Sequence, residues 1–312
     1  NEDIKDLLMD PENYDFRPLP NSDLVDTGVI VDAITDGFIG DAPDQGAYEY
    51  GGEMWVPGIS WDISEVFGDE FSEPEPMYNG SLFHVSINGS NNNDGSIDNP
   101  FSSIQFAYDR ADEQDTILVH PGVYYDDIWF YGKNVVLGSL FLTTGDTSFL
   151  SSTIIDGDST DCTIAIYGNI DSTCRITGFT IQNGIGCVYG QGAGIYVESA
   201  SPRLDNLIIK NNISGTNGGG ICLNGNSNSL IDKVLIKNNS ADVGGGLYSF
   251  NSNPVITNSI IQNNHANNGA GVFLELCSPN FENVSITDNN AISSGGGMYC
   301  GLTSCPVLNH VT

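Results

Sequence analysis

The sequence predicts an all-β fold: a right-handed parallel β-helix, a solenoid of about 25 residues per rung with a short N-terminal capping helix. Two recurring phrases and the composition of the chain predict it. The first phrase is a glycine cluster followed by an apolar residue, with Ile195, Ile221, Leu247, Val272 and Met298 at steps of 26, 26, 25 and 26 residues. The second runs Leu207-Ile208-Ile209-Lys210-Asn211-Asn212 and returns as Val234 to Asn239, Ser259 to Asn264 and Val284 to Asn289. Between them lie Gly, Asn, Ser and Pro, which punctuate short strands. Strands recurring in one order can pair in parallel with their copies a period later, the rest of the period serving as the right-handed crossover.

One rung cannot bury its apolar residues alone, so stability comes from stacking. Alternation points Leu207 and Ile209, Val234 and Ile236, Val284 and Ile286 inward. The asparagines Asn211, Asn238, Asn263, Asn212, Asn239, Asn264 and Asn289 fall at a corner, where Asn tolerates left-handed angles, and read as a structural ladder of stacked amides. A period of this composition leaves no room for a helix. Before the regular rungs, Asn99-Pro100 opens an amphipathic helix whose face Phe101, Ile104, Ala107, Tyr108 and Ala111 caps the stack.

The motifs Asn91-Asn92-Asn93-Asp94-Gly95-Ser96, Asn99-Pro100-Phe101, Asp115-Thr116-Ile117 and Pro121-Gly122-Val123-Tyr124 resemble the N-terminal entry of secreted right-handed parallel β-helix repeat proteins, in the pectate-lyase-like superfamily. The resemblance covers roughly 81–312 and implies the fold; the superfamily mixes lyases, hydrolases, adhesins and structural proteins, so it implies no single activity. A second resemblance lies in Tyr14 to Ser22, Val25-Asp26-Thr27-Gly28 and Asp44 to Tyr50, which look like the closing segment of such a helix. The expected division is therefore 1–52 as the end of a preceding β-helix unit, 53–80 as an acidic linker, and 81–312 as a β-helix continuing past the last residue.

The formal charge is −31, from 9 Lys plus Arg and 40 Asp plus Glu. It excludes nucleic acid and anionic lipid surfaces, which are bound through clustered cations. It suggests calcium, whose ligands are carboxylate and carbonyl oxygens, with Asp94 and Asp98 in an oxygen-rich loop as the candidate pair. No apolar run is long enough to cross a membrane. Cys277 and Cys305 should lie on adjacent rungs as a candidate disulfide, and Cys162 with Cys174 is a second. Seven cysteines fit an extracellular or cell-surface setting.

Catalytic candidates are sparse. A lyase needs a cationic base, and Lys210 and Lys237 should stack one rung apart; a hydrolase needs paired acids, and Asp205 with Asp232 is the one pair in register. Ile208, Leu235 and Ile260 form an outward apolar stripe, a candidate contact surface unless a loop covers it. The expectation is an extracellular structural or adhesive β-helix, associating with copies of itself or neighbouring β-helix domains into a filament or layer. The alternative is a polysaccharide lyase or carbohydrate-binding β-helix acting on an acidic glycan. A cationic groove would mark the lyase; a row of exposed aromatics would mark the binder.

Overall fold

The structure is a computed structural model that describes residues 8–10, 15–19, 81–187 and 190–312. The chain forms two compact units, Asn1–Asp62 and Ile63–Thr312. In the first, Leu8–Asp10 pairs antiparallel with Asp15–Pro18. The rest of the proposed closing segment and the acidic linker lie outside the described residues.

The second unit is a parallel β-solenoid. One sheet stacks Leu82–Val85, Thr116–Val119, Val136–Ser139, Arg175–Gln182, Arg203–Lys210, Leu230–Lys237, Val255–Gln262, Asn280–Thr287 and Val307–Val311. A second stacks Ile128–Tyr131, Ile164–Tyr167, Ile195–Glu198, Ile221–Asn224, Leu247–Phe250, Val272–Glu275 and Met298–Cys300. The residues that open the two recurring phrases thus become the strands of two sheets facing one core. Leu207, Ile209, Val234, Ile236 and Val284 all point into it and are buried.

Each eight-residue strand is two short strands meeting at a corner. Asn206, Lys233, Asn258 and Asn283 take left-handed angles there, φ between 47 and 54°, and Gly178 does so at 86°. Asn211, Asn238 and Asn263 form the next corner at φ 54–57°. The following asparagine does different work. The Asn212 side-chain amide donates to Asn239 Oδ1 (3.0 Å), Asn239 to Asn264 Oδ1 (3.1 Å) and Asn264 to Asn289 Oδ1 (3.0 Å). So one column of asparagines turns the chain and its neighbour ties rung to rung.

The last glycine of the first four clusters, Gly194, Gly220, Gly246 and Gly271, is dictated by space. A Cβ on Gly220 would sit 2.5 Å from the Gly246 carbonyl oxygen and 2.7 Å from the Ile236 side chain. Gly220→Ala is therefore expected to destabilise by roughly 1–3 kcal/mol, the usual range for overpacking, measured as a shift in the urea midpoint.

Three expectations need correction. The capping helix spans Ile104–Arg110, not from Pro100: Ser103 is its N-cap, accepting from the Phe106 amide at 3.2 Å, while Phe101 pairs with Val85. Its expected face is nonetheless buried in the core. Helical turns also occur where no room was expected, at Phe141–Thr144 and Ser148–Ser152. They fit because Val136 and Arg175, partners on adjacent rungs, are separated by 39 residues rather than about 25. This insertion corrects the third expectation. Ile208, Leu235 and Ile260 are only 6, 7 and 8% exposed and share a cluster with Leu150 and Phe141, so the stripe is no open contact surface.

At the first rungs, His84 Nδ1 lies 3.1 Å from His120 Nε2. Burial lowers both pKa values from 6.5, and His120 lowers that of His84 further. A group whose pKa falls on folding binds fewer protons when folded, so its stability contribution is complete above the unfolded value. That contribution should be lost as pH drops from 6.5 toward the folded values. Urea midpoints at pH 7.5 and 5.5 should show this loss, and His84→Asn should flatten it.

Candidate functional site

The residues expected to do chemistry do not form a reactive centre. Lys210 and Lys237 are register partners, half-buried, in a column continuing through Gln182 on one side and Gln262 on the other. Burial lowers the Lys237 pKa, with a further push from Lys210. No carboxylate or histidine stands in their strand positions on the rungs immediately before and after.

Asp205 and Asp232 are also partners, yet Asp205 is committed elsewhere. It is fully buried, with Arg175 Nε at 2.7 Å and Arg203 Nε at 3.0 Å from Oδ1. Oδ2 accepts from Arg175 Nη2 at 2.9 Å, Thr177 Oγ1 at 2.8 Å and Asn206 Nδ2 at 2.7 Å. Burial alone would raise its pKa, but the two arginines and Thr177 outweigh burial and hold it below the ordinary carboxylate value. A carboxylate so occupied is a tie between corners, not a base. Asp232 instead accepts from Thr257 Oγ1 (2.6 Å) and Asn258 (2.8 Å) on the next rung.

Asp94 and Asp98 are exposed; Asp94 Oδ1 accepts from the Ser96 amide at 2.9 Å in an Asx turn, and the Ser96 side chain together with that amide holds its pKa down. Cys277 and Cys305 do lie on adjacent rungs, joined by a backbone hydrogen bond of 3.1 Å, but none of the seven cysteines is in a disulfide. Cys174 is buried in the inner core, whereas Cys162 packs in a separate cluster with Cys187, so the pairing of Cys162 with Cys174 is corrected. Asp161, Cys162 and Cys187 bring their ligand atoms within 4.8 Å of one another, among the described residues the one such group of three.

The outer side of the second sheet carries the feature that stands out. Trp129, Ala165, Tyr196, Cys222, Tyr248, Phe273 and Tyr299 occupy one register column, and Tyr131, Tyr167, Glu198, Asn224, Phe250 and Glu275 the next. Alternation on the strand Ile128–Tyr131 sends Trp129 and Tyr131 outward together. Ala165 leaves space into which neighbouring rings lean. Trp129 stacks on Tyr131 (6.2 Å, 14°) and on Tyr167 (5.9 Å, 8°), and Tyr131 on Tyr167 (5.3 Å, 10°).

Near-parallel rings at these separations are offset, which leaves part of each face uncovered. Tyr131 is 57% exposed. Further along, Tyr248, Phe273 and Tyr299 stack at 5.6 and 4.8 Å. In the middle Tyr196 and Cys222 are buried, and Gln191 lies against Cys222. The face thus opens at two ends. At the first end carboxylates gather: burial raises the Asp127 pKa, and Asp161, Asp126 and Asp158 raise it further.

These aromatics were visible in the sequence, as the residue after each anchor (Tyr196, Tyr248, Phe273, Tyr299) and in the alternation of Trp129 and Tyr131. The anchor's neighbour points outward whenever the anchor points inward, and that inference locates the column.

No helix among the described residues is long and apolar enough to cross a membrane. No curated protein matches the chain. Among solved structures it is similar to a pectin methylesterase variant in complex with a hexasaccharide, at 13% identity, covering 72% of this chain and 81% of that one, TM-score 0.39. It is similar to the pectin methylesterase of Erwinia chrysanthemi at 13% identity, with coverage of 72% and 81% and a TM-score of 0.38. The pectin methylesterase of Aspergillus niger gives 14% identity, coverage of 77% and 88%, and a TM-score of 0.38. The model of the right-handed β-helix region matches residues 138–310, which include five whole strands of the first stacked sheet and six of the second. With more than half of its length matched and two parallel sheets wound from one repeating period, the chain belongs to the right-handed β-helix family.

Proposed function

We propose that this chain is a carbohydrate-binding β-helix whose contact surface is the aromatic end formed by Trp129, Tyr131 and Tyr167. The observation that carries the reading is the offset ring stack with Tyr131 57% exposed. Rings fixed on a stiff sheet present apolar faces at little entropic cost, and the C–H side of a pyranose matches such a surface. The polar surroundings narrow the ligand. Asp127 and Asp158 can accept hydrogen bonds from sugar hydroxyls, whereas a uronate would meet like charge. An uncharged glycan fits better than the acidic one expected from sequence.

Binding without turnover is the expected behaviour, because the cationic and acidic pairs elsewhere are apart from these rings. A structural or adhesive rod has no specific observation in its favour among the described residues. The reading places the protein where polysaccharide is met, outside the cell or on its surface.

Titration calorimetry against uncharged glucans, xylans and galactans, with pectate with and without calcium, tests this. One uncharged glycan should bind, and Tyr131→Ala should weaken it about tenfold or more, the effect of losing a central aromatic contact. Binding confined to pectate, dependent on calcium and indifferent to Tyr131→Ala, would overturn the proposal. So would new reducing ends from any glycan in the panel.

A further inference from the structure

We infer that Cys162, Cys187 and Asp161 form a binding site for a borderline-soft divalent cation of the zinc class, at the edge of the aromatic face. This is independent of the glycan reading. Cys162 precedes the strand Ile164–Tyr167 and is fully buried, and the Asp161 Oδ1 atom accepts from the Cys162 amide at 2.8 Å. Cys187 comes from an irregular excursion of the chain. Ile164 and Ile195 are register partners yet stand 31 residues apart, against 26 from Ile195 to Ile221. The added residues fold back onto the sheet: the Ile185 amide donates to the Asp161 carbonyl at 2.9 Å, and the Cys187 amide to the Gln191 carbonyl at 2.9 Å.

The three ligand atoms lie within 4.8 Å of one another, so small side-chain shifts would bring each to about 2.0–2.3 Å from one ion, as tetrahedral ligation requires. Two sulfurs and one carboxylate are a donor set for zinc, with a fourth position left to water or a side chain. A second observation points the same way. One buried polar atom nearby, Asp127 Oδ1, has no hydrogen-bond partner. Its other oxygen accepts from Thr160 Oγ1 at 3.0 Å, and Thr160 immediately precedes Asp161, so the orphan borders the cluster. A cation with a bound water would give it a partner.

Binding converts two neutral thiols to thiolates and releases two protons per ion, so the charge of the cation is balanced by the two thiolates. The ion would pin the excursion that carries Cys187 over the sheet.

The test uses the full chain, stripped with a chelator and kept reduced, titrated with cobalt(II) and then zinc(II). A thiolate-to-cobalt charge-transfer band should saturate at one ion per chain, with about two protons released, and zinc should displace it. Cys187→Ser, in a half-buried loop position, should abolish the band and weaken zinc by more than about 100-fold, since outer-shell partners alone are worth about 10–100-fold. Asp161→Asn should keep the band but weaken zinc about tenfold, and Cys305→Ser, at an exposed position, should change neither. Absence of the band in the native chain, or its survival in Cys187→Ser, would overturn the site. So would a Cys162–Cys187 disulfide in zinc-free protein purified without reductant.

Discussion

Replacing Asp205 with alanine is expected to lower the unfolding free energy by about 3–5 kcal/mol, the cost of removing one partner from a buried ion pair. The carboxylate is fully buried and both oxygens are shared among Arg175, Arg203, Thr177 and Asn206. Its removal leaves two guanidinium groups, 13% and 32% exposed, without this counter-charge. It also frees the corner at Asn206, which holds a left-handed φ of 50°. Asp205→Asn keeps the shape but not the charge, and its loss should fall between wild type and alanine. Asp232→Ala is the control in the same register one rung on. Asp232 is half-buried with two neutral donors, so the change should cost about 1 kcal/mol.

Urea denaturation with hydrogen exchange on the strands Arg175–Gln182 and Arg203–Lys210 separates a local opening from global unfolding, a distinction that matters in a stack held by nearest neighbours. Near-equal effects at the two aspartates would sink the account. Acid adds a check with a defined sign. The pKa of Asp205 is lowered on folding, so its contribution is complete above the unfolded value of about 3.9 and is lost as pH falls through the folded value. The stability gap between wild type and Asp205→Ala should therefore shrink in strong acid.

The ion cluster around Asp205 shows where sequence reasoning stops. The register of Asp205 with Asp232 was legible, because both precede the same phrase. Their different roles were not, since Arg175 lies on the preceding rung, before the regular copies begin. The same limit applies to the insertion between Val136 and Arg175 and the excursion that carries Cys187. A period reports what repeats, and these segments are where the period lengthens. The stripe Ile208, Leu235 and Ile260 looked open because Leu150 and Phe141, which join it in one buried cluster, come from such an insertion. What repeats was read in detail: the inward positions and the asparagine corner follow from alternation and spacing alone. The aromatic face was within reach of the same logic, as the outward neighbour of each inward anchor.

The adjacent asparagines Asn238 and Asn239 supply the sharpest contrast that the repeat allows. Asn239→Leu is expected to cost about 2–4 kcal/mol, as each buried polar group left unpaired is worth about 1–3 kcal/mol. Its Oδ1 accepts both the backbone and the side-chain amide of Asn212, each at 3.0 Å. Its own amide donates to the Ile209 carbonyl at 3.0 Å and to Asn264 at 3.1 Å. Leucine keeps the branched skeleton of asparagine but is bulkier, so the loss combines the hydrogen bonds with some crowding beside Gly220. Asn239→Asp keeps the acceptor but loses both donors and buries a charge, so it should cost as much at neutral pH and recover in acid as the carboxyl protonates. Asn238, exposed and at φ 55°, should accept glycine within about 0.5 kcal/mol, whereas alanine there pays the left-handed strain of about 1–2 kcal/mol. Equal tolerance at the two positions would mean that the ladder adds nothing to the turn. A large loss confined to Asn239 would show that the rungs are held together through a wire of amides inside the stack, and that its corner needs nothing more than a residue that can turn left.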